Sequence, residues 1–114
     1  MDANELPAGE HGERLSVLDA RRRVEALDRR QCPGGGTVII DRGTDVAEDC
    51  IVFHVNTLAF ALDPDTDDVL IGAPRYLVDR WTGAVYVLPS AGPVESWIER
   101  FRSGGLEGVP RLTS

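Results

Sequence analysis

Between positions 63 and 68 the chain carries four carboxylates, Asp63, Asp65, Asp67 and Asp68. Carboxylates on alternate residues begin the D-x-D-x-D-G loop that wraps calcium, whose ligands are oxygens and whose loop also needs a bidentate Glu six residues further on. Here the glycine position holds Asp68 and the glutamate position holds Pro74, so the stretch reads as a solvated acidic loop and a candidate surface for a basic partner. Cys50 and His54 fall on one face of a strand pattern. Four residues of strand hold them about 13 Å apart, whereas a thiol and its base need about 2.6–3.2 Å. His11, Cys32, Cys50 and His54 have no zinc spacing. Gly34-Gly35-Gly36 precedes a strand and is followed by no lysine, so it is a connector and not a phosphate loop. These residues point to no catalytic, metal or cofactor site. Trp81 sits at the tip of an expected hairpin, where a large amphipathic ring is either folded onto the sheet edge or offered to a partner.

The 114 residues fit a single domain, with 42% apolar and 27% charged residues, the proportions of an ordinary globular protein. A net charge of −7 argues against nucleic acid and anionic membrane as partners, since both select a basic face. The charge is segregated. Residues 41–68 hold eight acids against Arg42 alone, and residues 14–30 hold six arginines against three acids. No apolar run reaches the roughly 20 residues that span a bilayer. The opening MDANELPAGEHGER has no apolar core of a secretory signal. Two cysteines outside any C-x-x-C then read as reduced thiols in a cytoplasmic protein.

The elements that would position these residues follow from periodicity. Residues 1–13 are expected to be a mobile tail. Ser16 is a candidate N-cap for a helix whose stripe is Val17, Ala20, Val24 and Leu27, with Arg21, Arg22, Glu25 and Asp28 turned to solvent. Thr37–Asp41 is β-branched and short, a strand. In 50–56, Ile51, Phe53 and Val55 alternate with Cys50, Val52 and His54; with both faces rather apolar, the strand is expected at the centre of a sheet covered on both sides. Thr57–Leu62 fits either a strand continuation or a helical turn. Residues 76–79 and 84–88 flank Arg80-Trp81-Thr82-Gly83, a hairpin whose glycine suits the left-handed closing position. Val94, Trp97, Ile98 and Phe101 recur at i, i+3, i+4 and i+7 behind Pro93, placed at the first helical position. Residues 105–114 read as a loose tail. The expected fold is α+β: an antiparallel sheet of about four strands in meander order, with N- and C-terminal helices packed on it, over residues 14–104.

Residues 51–101 resemble the immunity protein 35 family, which includes the YrhB-like proteins. The resemblance lies in Ile51-Val52-Phe53-His54-Val55-Asn56, in Gly72-Ala73-Pro74, in the Thr82-Gly83 hairpin of 78–85 and in the closing helix 93–101. It implies an α+β antidote to a toxin of inter-bacterial competition, with no catalysis of its own. On that implication the function is a non-catalytic immunity protein that neutralises a cognate toxin, with Asp63, Asp65, Asp67, Asp68 and Trp81 as contacts. The alternative is a small chaperone-like or general protein-interaction module.

Overall fold

The computed structural model describes residues 14–31, 37–89, 92–106 and 108–112. The expected N-terminal tail, the triple glycine and Cys32 lie outside them. Helix α1 (Val17–Gln31) is followed by strands β1 (Thr37–Ile39), β2 (Asp45–Val46) and β3 (Cys50–Thr57), helix α2 (Leu58–Leu62), strands β4 (Arg75–Asp79) and β5 (Val85–Leu88), helix α3 (Val94–Arg102) and strand β6 (Arg111–Leu112). All pairings are antiparallel. β3, β4, β5 and β6 lie side by side, and β1 and β2 share the other edge of β3. β1 takes residues 55–57 of β3 and β2 takes residues 51–52, so the two are one strand interrupted by a 3-10 turn at Asp41–Gly43. The α+β meander is thus present, with its first strand split and a sixth strand added.

β3 is central, as its two apolar faces require. Ile51, Phe53 and Val55 join Tyr76, Val78 and Val85 in a core with Ala20, Val24 and Leu27 of α1. Cys50, Val52, Leu77 and Leu88 face the other way, under Val94, Trp97, Ile98 and Phe101 of α3. The two layers differ in closure. Ala20 and Val24 are fully covered, whereas none of the α3 residues is fully buried. A nine-residue helix lying on the sheet with little beyond it covers its own stripe only in part.

Three local expectations need correction. Asp28 is not turned to solvent. It is 5% exposed and accepts hydrogen bonds from the Tyr76 hydroxyl at 2.5 Å and the Thr37 hydroxyl at 2.6 Å. It continues the i, i+4 row of Ala20 and Val24, so the stripe itself carries it inward. Residues 105–114 are not simply a loose tail: Leu106 is buried, the Val87 N–H donates to the Pro110 carbonyl at 2.8 Å, and β6 pairs with β5. An uncovered β5 edge leaves backbone groups unpaired, and this segment pairs some of them. Pro93 is the N-cap of α3 and lies outside its first turn. The Ser16 cap is as expected, its hydroxyl accepting from the Asp19 N–H at 3.1 Å.

Candidate functional site

The connections at the two ends of β4 are built differently. At its C-terminal end the chain turns within residues 80–84. The Asp79 N–H donates to the Ala84 carbonyl and the Gly83 N–H to the Asp79 carbonyl, both at 2.8 Å, while the Asp79 carboxylate accepts from the Trp81 and Thr82 N–H groups. Gly83 has φ +80°, a left-handed backbone conformation that favours glycine, and a Cβ there would come within 3.2 Å of the Arg23 guanidinium, which would have to shift. Trp81, 39% exposed, stands at the tip of this turn with part of its ring in solvent. Arg80 is buried beneath the turn and donates to the Leu15 and Ala47 carbonyls at 2.9 and 2.8 Å.

At the N-terminal end the chain makes a long excursion, residues 58–74, between β3 and β4. Thr57 caps α2, accepting from the Phe60 N–H at 3.1 Å while its hydroxyl donates to the Asp68 carbonyl at 2.6 Å. The buried Asn56 side chain holds the returning limb: its amide donates to the Leu70 carbonyl at 3.2 Å and its oxygen accepts from the Leu70 N–H at 2.8 Å. Arg42 donates to the Ala61 and Phe60 carbonyls, and its guanidinium lies 4.6 Å from the centre of the Phe60 ring. The C-terminal end of a one-turn helix has unpaired carbonyls, and Arg42 supplies them with donors and a compensating charge. The excursion is therefore fastened at both limbs.

What it displays is the candidate site. Asp63, Asp65, Asp67 and Asp68 are all exposed on a loop shaped by its own side chains, with the Asp65 N–H donating to the Asp63 carboxylate and the Asp68 N–H to the Thr66 hydroxyl. Among the described residues no three of His, Cys, Asp or Glu are grouped so as to hold a metal ion. Beside the acids, Leu58 is 57% exposed, Leu62 78%, Leu70 42% and Ile71 86%. Leu58 and Leu62 are i, i+4 and share one face of α2. Between α2, the 3-10 turn and Pro74 lies a cavity of about 250 Å³ lined by Ile40, Val55, Phe60, Ala73 and Pro74, together with Arg42, Gly43, His54 and Asn56.

Of the residues singled out by sequence, the four aspartates are brought together here. Trp81 is not: it stands beyond the opposite end of β4, whose five residues alone span roughly 13 Å at about 3.3 Å per residue. The exposed apolar group was missed. Its signal was the helical phase of Thr57–Leu62, which places Leu58 and Leu62 together, and the Val69-Leu70-Ile71 run wedged between acids and Gly72.

Cys50 and His54 do not form a reactive pair. Cys50 is completely covered, and burial, aided by the neighbouring Asp49 carboxylate, pushes its thiol up to about 12, so the nucleophilic thiolate is not formed near neutral pH. Burial, followed by the charge of Arg75, lowers His54 below its ordinary value; the Asp45 carboxylate, 3.8 Å from its Nε2, opposes that shift. No helix among the described residues is long and apolar enough to cross a membrane. In comparisons with protein-family models, curated proteins and solved structures, the chain matches none.

Proposed function

We propose that this is a non-catalytic binding protein of the immunity type, which docks a basic protein partner on the 58–74 excursion and, if that partner is a toxin, neutralises it by covering its working surface. The observation that carries the reading is the set of four large apolar side chains, Leu58, Leu62, Leu70 and Ile71, held in water among four carboxylates. Connections of this length are uncommon in a compact domain, where most have about 4–6 residues, and this one, with only the short helix α2 within it, is fastened by paired hydrogen bonds. Apolar exposure is unfavourable by about 25 cal/mol per Å², so a stable protein that maintains it gains on association. The acids add steering toward a cationic surface. The resemblance of residues 51–101 to the immunity protein 35 family supplies the toxin as the partner class, and the reduced cytoplasm follows as the place of action.

The experiment is binding of the product of the adjacent gene, followed by calorimetry. A one-to-one complex is expected, weakened at least tenfold by Asp63/Asp65/Asp67/Asp68→Ser and losing its salt dependence in that variant. Unchanged affinity and salt slope would sink the electrostatic account. The same apolar exposure also favours the chaperone-like reading, which expects weak binding to many unfolded clients. A tight complex with one folded partner rules that out.

A further inference from the structure

We infer that the cavity between Phe60 and Pro74 is a socket for one aromatic or leucine side chain of the partner, carried on a segment whose flanking residues are Lys or Arg. This deepens the docking role proposed for the excursion and rests on it.

The size argues first. About 250 Å³ lies below the roughly 300–1,000 Å³ of small-molecule pockets, yet has room for a single large side chain. The walls argue next. Ile40, Val55, Phe60, Ala73 and Pro74 present carbon, while the Asn56 and Arg42 side chains at the cavity are already engaged. Asn56 spends its side chain on Leu70 and on the Thr57 N–H, Arg42 donates to the α2 carbonyls, and His54 Nε2 faces Asp45. A pocket lined chiefly by carbon, with its Asn and Arg side chains held from within, recognises shape and apolar area above all. Interfaces concentrate their energy in such anchors, ringed by contacts that exclude water. Leu58, Leu62 and Ile71 are available for that ring.

Charge complementarity identifies the occupant's surroundings. The loop that follows α2 holds four exposed carboxylates, so a basic segment is attracted. A second copy pairing symmetrically through this face would set the same carboxylates against each other, since a two-fold interface matches a patch with itself.

The test is selection of random twelve-residue displayed peptides on the full chain. Ala73→Leu, which fills the socket from its wall, and Asp63/Asp65/Asp67/Asp68→Asn serve as comparison targets, each checked for an unchanged melting temperature. The expected winners combine one Phe, Trp or Leu with at least two Lys or Arg. They lose tenfold or more in affinity on Ala73→Leu, and in the Asp→Asn chain they lose their salt dependence while keeping the aromatic preference. Should Ala73→Leu fold poorly, amide shifts on the unaltered chain decide, being expected at Phe60, Ala73 and His54. Purely basic peptides bound equally by Ala73→Leu would overturn the socket and leave the docking face standing. No enriched peptide, or peptides indifferent to both variants, would overturn the docking face itself. Concentration-dependent sedimentation abolished by Ala73→Leu would make the occupant a second copy and overturn the socket's partner.

Discussion

The two ends of β4 separate what folds this chain from what it displays. At the hairpin end, turn residues, a buried arginine and the start of α1 are tied to one another, with Trp81, Val17 and Leu18 exposed beside them. At the excursion end, backbone groups are tied just as carefully while four large apolar side chains stay in water. Hydrogen bonds alone would order either end. The difference is one of degree: Leu62 and Ile71 are exposed at 78% and 86%, about twice the 39% of Trp81, and a cluster of apolar side chains left that open by an ordered segment favours association.

The largest effect that sharpens this contrast is expected in the core beneath α1. Phe53 is 1% exposed, and Phe53→Ala is expected to cost about 3–5 kcal/mol through lost transfer energy and the cavity left behind, read by urea unfolding. A loss below about 1 kcal/mol would mean that the α1 layer is not the folding core.

Next comes Tyr76→Phe. It removes the hydroxyl that donates to the buried Asp28 carboxylate and leaves Thr37 as its one remaining side-chain donor among the described residues. A poorly satisfied buried carboxylate costs about 1–3 kcal/mol. Asp28→Asn in the same background should recover part of that loss, because the neutral amide is cheaper to bury.

How much of this was legible differs by residue. The two apolar faces of β3, the Thr82-Gly83 turn and the Ser16 cap were readable because each depends on neighbours in sequence. Asp28 was misread because its charge outweighed its place on the Ala20–Val24 row; its burial requires the Tyr76 hydroxyl, which arrives from another strand. The split of β1 from β2 and the docking of β6 depend on partners across the sheet, and no local pattern announces them. At the site the acids were visible as composition. The apolar half was hidden because short apolar runs ordinarily signal burial, and Leu62 and Ile71 are exceptions that only tertiary structure reveals.

A smaller effect concerns pH. Burial lowers His54 in the folded state, so the fold favours the neutral ring, and the stability this gives is present above the ordinary value of 6.5 and declines as pH falls through it. The Arg102 guanidinium, 2.8 Å from the Asp49 carboxylate, holds Asp49 below its ordinary 3.8. That contribution, present above 3.8, is lost at lower pH still. The pair is exposed to solvent, so its contribution is small and is screened by salt. Thermal unfolding from pH 8 to 3 is expected to show stability falling in two steps, with His54→Asn removing the upper one.

The smallest expected change in stability is at the excursion: Leu62→Ser/Ile71→Ser should alter unfolding free energy by no more than about 0.5 kcal/mol per site, as for surface residues that pack against little. A loss of 2 kcal/mol or more would show that these side chains serve the fold, and the contrast between the two ends would collapse.

The most direct measurement sets two variants of equal stability against the same partner, the product of the adjacent gene, by calorimetry. Leu62→Ser/Ile71→Ser is expected to weaken binding at least tenfold, and Trp81→Ser less than twofold. A tenfold loss from Trp81→Ser with full affinity retained in the excursion variant would place the docking surface at the hairpin end and contradict the account.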